Sequence, residues 1–67
     1  MIYVNGRPVQ SAANATIRDL LLALDIDPDR GGIAVAVDAE VARRAAWPTQ
    51  TLDDGAHVEI VTATQGG

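Results

Sequence analysis

A chain of 67 residues fits one small domain that buries only roughly 60% of the surface its unfolded form exposes, which leaves little room for an enclosed active site. It contains no cysteine, so disulfides, thiolate metal sites, a cysteine nucleophile and an internal thioester are all excluded. Nine acids against five arginines, with no lysine, give a net charge of −4; the only adjacent cations are Arg43 and Arg44, which disfavours a nucleic-acid partner. The apolar runs LLLAL and IAVAV fall far short of the ~20 residues of a membrane span. The opening MIYV has no basic stretch ahead of an apolar one, so no secretory signal is expected and the cytoplasm is the default location.

In chain order, MIYVNGRPVQ reads as a hairpin. Ile2 and Val4 alternate with Tyr3, and Asn5-Gly6 favours a tight primed turn. Pro8 has no amide hydrogen, which assigns its strand to a sheet edge. In TIRDLLLAL, Ile17, Leu20, Leu21 and Leu24 form one apolar stripe on a helix of about two and a half turns. Thr16 is the expected N-cap, with Asp19 near the first-turn amides, and Pro28 is expected to forbid continuation. DPDRGG is then a loop.

IAVAVD is a β-branched strand with Ile33, Val35 and Val37 on one face and alanines on the other. A turn at Asp38-Ala39-Glu40 leads into a shorter strand around Val41. The stretch RRAAWPTQTLDDG is irregular, with Trp47 and Leu52 as buried anchors and Asp54-Gly55 as a turn. The last strand, HVEIVTA, alternates Val58 and Ile60 with His57 and Glu59. Two hairpins separated by a helix, followed by a last strand, bury their apolar faces when the helix stripe crosses a mixed sheet of four to five strands. This is an α+β architecture, the ubiquitin-like β-grasp, with the first and last strands parallel at the sheet centre. One domain over residues 1–67 is expected, with 63–67 as an extended diglycine tail.

Candidates for conventional chemistry are few. Asp25, Asp27 and Asp29 resemble a calcium loop in their alternation, but an EF-hand needs glycine after the third acid and a glutamate at its last position, where this chain has Arg30 and Ala36. His57 has no serine or cysteine beside it in sequence and no convergent ligands, so it reads as a surface residue. No metal site and no catalytic residue of the chain's own are expected. Arg43 and Arg44 are candidates for contact with an acidic partner surface.

The ending TATQGG suits a different role. A carboxylate is a poor electrophile until it becomes a mixed anhydride such as an acyl adenylate. Two glycines without side chains can bring backbone alone beside a nucleotide phosphate, and they leave the terminal carbonyl open to attack. Sulfur transfer to such an adenylate gives a thiocarboxylate; transfer through an enzyme thioester to an amine gives protein conjugation. A chain free of cysteine and lysine offers an activated tail few competing nucleophiles. Gly67 is then the site of modification and Gly66 keeps the path to it clear.

The segments IYVNGRPV, TIRDLLLAL, VAVDAEV followed by RAAW, LDDG and VEIVTATQGG, in this order and spacing, resemble the ThiS family of sulfur carriers in thiamine thiazole synthesis. The resemblance implies a carrier rather than an enzyme, without a cofactor of its own. On the resemblance, an ATP-using, ThiF-like adenylyltransferase is expected to activate Gly67, a sulfur donor enzyme to convert it to a thiocarboxylate, and a ThiG-like thiazole synthase to receive the sulfur. Two positions depart from the family pattern: Ala56-His57, where an acid is usual after the glycine, and Asp38-Ala39, where Asn-Gly is common. Related carriers for molybdopterin or another sulfur pathway share the tail chemistry. A β-grasp interaction module with incidental glycines is the alternative of another class. Partner contacts are expected on the sheet face around the final strand, with Val61 as an exposed apolar candidate.

Overall fold

The structure, a computed structural model, describes residues 1–63. Strands β1 (Ile2–Val4) and β2 (Arg7–Val9) form the first hairpin. Asn5 and Gly6 link them at φ 50° and 84°, the pair of positive values that gives a two-residue loop the twist of its flanking strands. Helix α1 (Ile17–Ala23) follows, then β3 (Ile33–Val37), β4 (Glu40–Ala42), a single 3-10 turn (Arg44–Ala46) and β5 (His57–Thr62). The sheet order is β2-β1-β5-β3-β4. β5 runs parallel to β1 and antiparallel to β3, the β-grasp arrangement, and Pro8 lies on an edge strand as its missing amide requires.

Helix α1 lays Ile17, Leu20 and Leu21 against Ile2, Val4, Val35, Val58 and Ile60 of the sheet, and Trp47, Leu52 and Ala56 complete the core. Its N-terminus is closed from two directions. Thr16 Oγ1 accepts from the Asp19 amide at 3.1 Å, and Asp19 Oδ2 accepts from the Thr16 amide at 3.0 Å, a reciprocal capping box. These bonds favour the charged carboxylate, so the Asp19 pKa lies below its ordinary value. The amides of Ile17 and Arg18 donate to the carbonyls of Gln50 and Trp47 at 3.0 and 3.1 Å. The irregular segment after the 3-10 turn thus satisfies donors that no preceding helical turn can reach.

The helix is shorter than its sequence pattern, and Pro28 does not end it. Asp25 adopts φ 60°, its amide donates to Leu22 O at 3.1 Å, and the Ile26 amide donates to Leu21 O at 2.9 Å. This is a Schellman closure with aspartate in the place glycine usually takes. Ile26, packed against the core, supplies its apolar contact. Leu24 is only partly buried as a result.

Trp47 is 2% exposed and donates its indole Nε1–H to Ala42 O at 3.1 Å. Arg44 stacks its guanidinium 4.5 Å from the centre of the Trp47 ring and donates to the carbonyls of Pro28 and Arg30. That one side chain joins the 3-10 turn to the loop after α1. In the same loop Asp29 pairs with Arg18 at 3.1 Å. The Arg18 hydrogen bond and charge hold the Asp29 carboxyl below its ordinary pKa against some desolvation, and Arg44 adds to the effect.

Four substitutions test these local arguments by denaturant unfolding. Thr16→Ala removes one half of the capping box and should cost about 1 kcal/mol. Ala39, at φ 71° in the turn between β3 and β4, carries a Cβ in a left-handed conformation; Ala39→Gly should stabilise by about 0.5–1 kcal/mol, the relief of that strain less the added freedom of the unfolded chain. Arg44→Lys retains the charge but loses the planar fork and the stacking. It should cost about 1–2 kcal/mol, whereas Arg43→Ala should stay within about 0.5 kcal/mol.

Candidate functional site

The sheet has two unlike faces. The inner one is covered by α1. On the outer one, alternation places Tyr3, His57, Glu59, Val61, Ala34, Ala36 and Val41, and no described element packs over them. Val41 is 81% exposed and Val61 62%. Burial within the described residues therefore accounts for neither β-branched side chain. His57 lies flat against Tyr3, with ring centres 4.9 Å apart and planes 14° from parallel, which gives the face an aromatic step beside its aliphatic end.

Register brings Val61 opposite Ala34, so the exposed valine stands beside a side chain that cannot screen it. Arg43 lies one position beyond the Val35–Ala42 pair, abreast of Ala34. The structure thus aligns Val61 and Arg43 at the end of the sheet towards which β5 runs. Arg44 is held among Trp47, Pro28 and Arg30 as described above, so its guanidinium serves the fold first.

β5 is held to residues well separated from it in sequence. On the β3 side the antiparallel register continues past both strand ends. The Asp38 amide donates to His57 O at 2.7 Å, and the Ala63 amide donates to Gly32 O at 2.6 Å. Asp38 Oδ1 also accepts from the His57 amide at 3.0 Å. On the β1 side the Asn5 amide donates to Val58 O at 2.9 Å. One step further along, the Asn5 side chain takes over: its Oδ1 accepts from the Ile60 amide at 2.9 Å and its Nδ2 donates to Ile60 O at 3.2 Å. Each hairpin turn thus directs the side chain of its first residue to the backbone of the central strand.

Sequence reasoning recognises Asn5 and Asp38 as turn residues but not as ligands of β5, because their partners lie 55 and 19 positions away. An Asx residue at the first place of a primed turn is the available signal. Asp25, Asp27 and Asp29 do not converge: the first closes the helix, the second accepts from the Asp29 amide at 2.9 Å, and the third pairs with Arg18. Among the described residues no group of His, Cys, Asp or Glu is placed to hold a metal ion, and no helix is long and apolar enough to cross a membrane. Gly66 and Gly67, the expected modification site and its approach, lie outside the described residues.

The chain is 29% identical over 66 residues to the sulfur carrier protein ThiS of Escherichia coli strain K12, covering 98% of this chain and 97% of that one. A crystal structure of the thiamine biosynthesis protein ThiS from Geobacter metallireducens superposes with a TM-score of 0.77 at 31% identity, covering 98% of this chain and 97% of that chain. A solution NMR structure of a thiamine biosynthesis protein from the same organism gives a TM-score of 0.78 at 32% identity, with 98% and 86% covered. The ThiS family model matches residues 1–67, and the chain belongs to the ThiS family.

Proposed function

We propose that this protein carries sulfur for thiamine synthesis as a thiocarboxylate at Gly67. The observation that carries the reading is the span of the family match, which runs through Gly66 and Gly67. As a family member the chain is a carrier and not an enzyme. Its working compartment on this reading is the cytoplasm.

The chemistry follows from the carboxylate. A Gly67 oxygen attacks the α-phosphorus of ATP in a ThiF-like adenylyltransferase and pyrophosphate leaves. A sulfur nucleophile from the donor enzyme then adds to the acyl carbon, and AMP departs with one of the original carboxylate oxygens. Where the donor is a persulfide, a thiol cleaves the resulting acyl disulfide and frees the thiocarboxylate. A ThiG-like thiazole synthase accepts the sulfur. The outer sheet face, with Val61 and Val41 as apolar contacts and Arg43 beside them, is the docking surface for these partners in turn. An exposed aliphatic patch with a polar rim suits exchangeable partners.

Incubation with ATP, a ThiF-like adenylyltransferase and a sulfur donor should raise the intact mass by about 16 Da, one oxygen exchanged for sulfur at the C-terminus. Gly67→Val should fold normally and slow this conversion by about 100-fold, because the reacting carbon is displaced and crowded. An interaction module would keep its partner binding in this variant and never gain the mass. Offering the sulfur-loaded protein to thiazole synthase and to a molybdopterin synthase large subunit separates the two pathways; turnover by the latter alone would overturn the thiamine assignment.

A further inference from the structure

We propose that Asn5 is a positioning residue for the C-terminal carboxylate, acting through β5; this rests on the carrier reading above. β1 ends at Val4, so its backbone pairing with β5 stops at the Asn5 amide and Val58. Beyond that point no strand among the described residues bonds the β1 side of β5. The Asn5 carboxamide supplies what is missing: one acceptor and one donor, presented side by side to the amide and carbonyl of Ile60. It acts as a further residue of β1, added by a side chain at a place where the main chain has turned away.

Only asparagine or glutamine offers such a pair, and asparagine also tolerates the positive φ of 50° that the turn requires there. On the opposite side Gly32 completes the hold. Its carbonyl accepts from Ala63, and at φ 80° a Cβ built on it would stand 3.3 Å from Ala63 O. Ile60 is thus held from one flank and Ala63 from the other. The four residues from 64 to 67 can extend no further than ~14 Å from that anchor.

A fixed root spares a partner that takes up the C-terminus the ordering of Val61 to Ala63. If the root frays, Val61 to Ala63 must be ordered as well, and the added entropy appears in recognition rather than in the chemical step. Asn5→Gly keeps a Gly-Gly primed turn and deletes both bonds to Ile60. Gly32→Ala strains its own backbone at φ 80° and crowds Ala63, while the Asn5 bonds to Ile60 stay in place. Thr16→Ala, which weakens the helix cap and leaves β5 untouched, is the control for a general loss of stability.

The test combines amide hydrogen exchange with steady-state kinetics of pyrophosphate release, using a ThiF-like adenylyltransferase, ATP and the full chain. In Asn5→Gly, Ile60 protection should fall roughly 10-fold or more, as expected for two lost hydrogen bonds. KM for the carrier should rise about 3- to 10-fold with kcat retained. Gly32→Ala should raise KM in the same way, and Thr16→Ala should leave it unchanged. Unaltered Ile60 protection in Asn5→Gly, an unaltered KM, or an equal KM change in Thr16→Ala would each overturn the assignment. If the wild-type chain itself supports no pyrophosphate release, the carrier reading falls and the positioning role with it, while the exchange data still show whether Asn5 holds Ile60.

Discussion

The insertion of β5 between two hairpins is the constraint on which the rest of this molecule depends. No strand of the β1–β2 hairpin pairs with any strand of the β3–β4 hairpin; both are bonded to β5. A two-stranded hairpin is marginal alone in water, so the continuous apolar face that seats α1 exists only when residues 57–62 are in place. Val58 then lies between Val4 and Val37, and Ile60 lies beside Val35, which closes the core across the whole sheet. Contacts between the first and last strands require closure of nearly the entire chain. Such pairing carries a larger loop-closure entropy than the local hairpins and the helix do.

The irregular stretch between β4 and β5 is part of the same solution. A chain of this length can spare few residues for connection alone. Here Trp47 fills the core while its own carbonyl and that of Gln50 receive the first amides of α1, and Arg44 ties the segment to the loop on the other side of the helix. One element without regular strand or long helix thereby supplies burial, helix capping and loop anchoring. The cost is a dependence on single side chains, since no repeating ladder of bonds backs them up.

Much of the fold was legible in the sequence because its signals are local. Asn5-Gly6 marked a turn through its tolerance of positive φ. Pro8 marked an edge by its missing donor, and the spacing of Ile17, Leu20 and Leu21 marked the buried helix face. Thr16 and Asp19 marked the cap. What could not be read depended on topology: the carboxamide of Asn5 meets Ile60 only because β5 lies beside β1, and the helix end at Asp25 is fixed by a carbonyl pattern and the burial of Ile26 rather than by the proline further on. Of the candidate site, Val61 and Arg43 could be named from sequence, but their alignment across Ala34 required the register. Ala39 shows the limit from the other direction. Its side chain argues against a left-handed turn, and the pairing of β3 with β4 imposes one.

The parallel pairing of β1 with β5 has a mechanical consequence. A pull on the C-terminal end of β5, opposed at the start of β1, acts along the strands and loads their hydrogen bonds together in shear instead of peeling them one at a time. The main-chain bonds at Ala56 and Val58 and the side-chain bonds at Ile60 share that load. A load applied at the end of β5 is therefore carried along the strand while the sheet behind it stays closed.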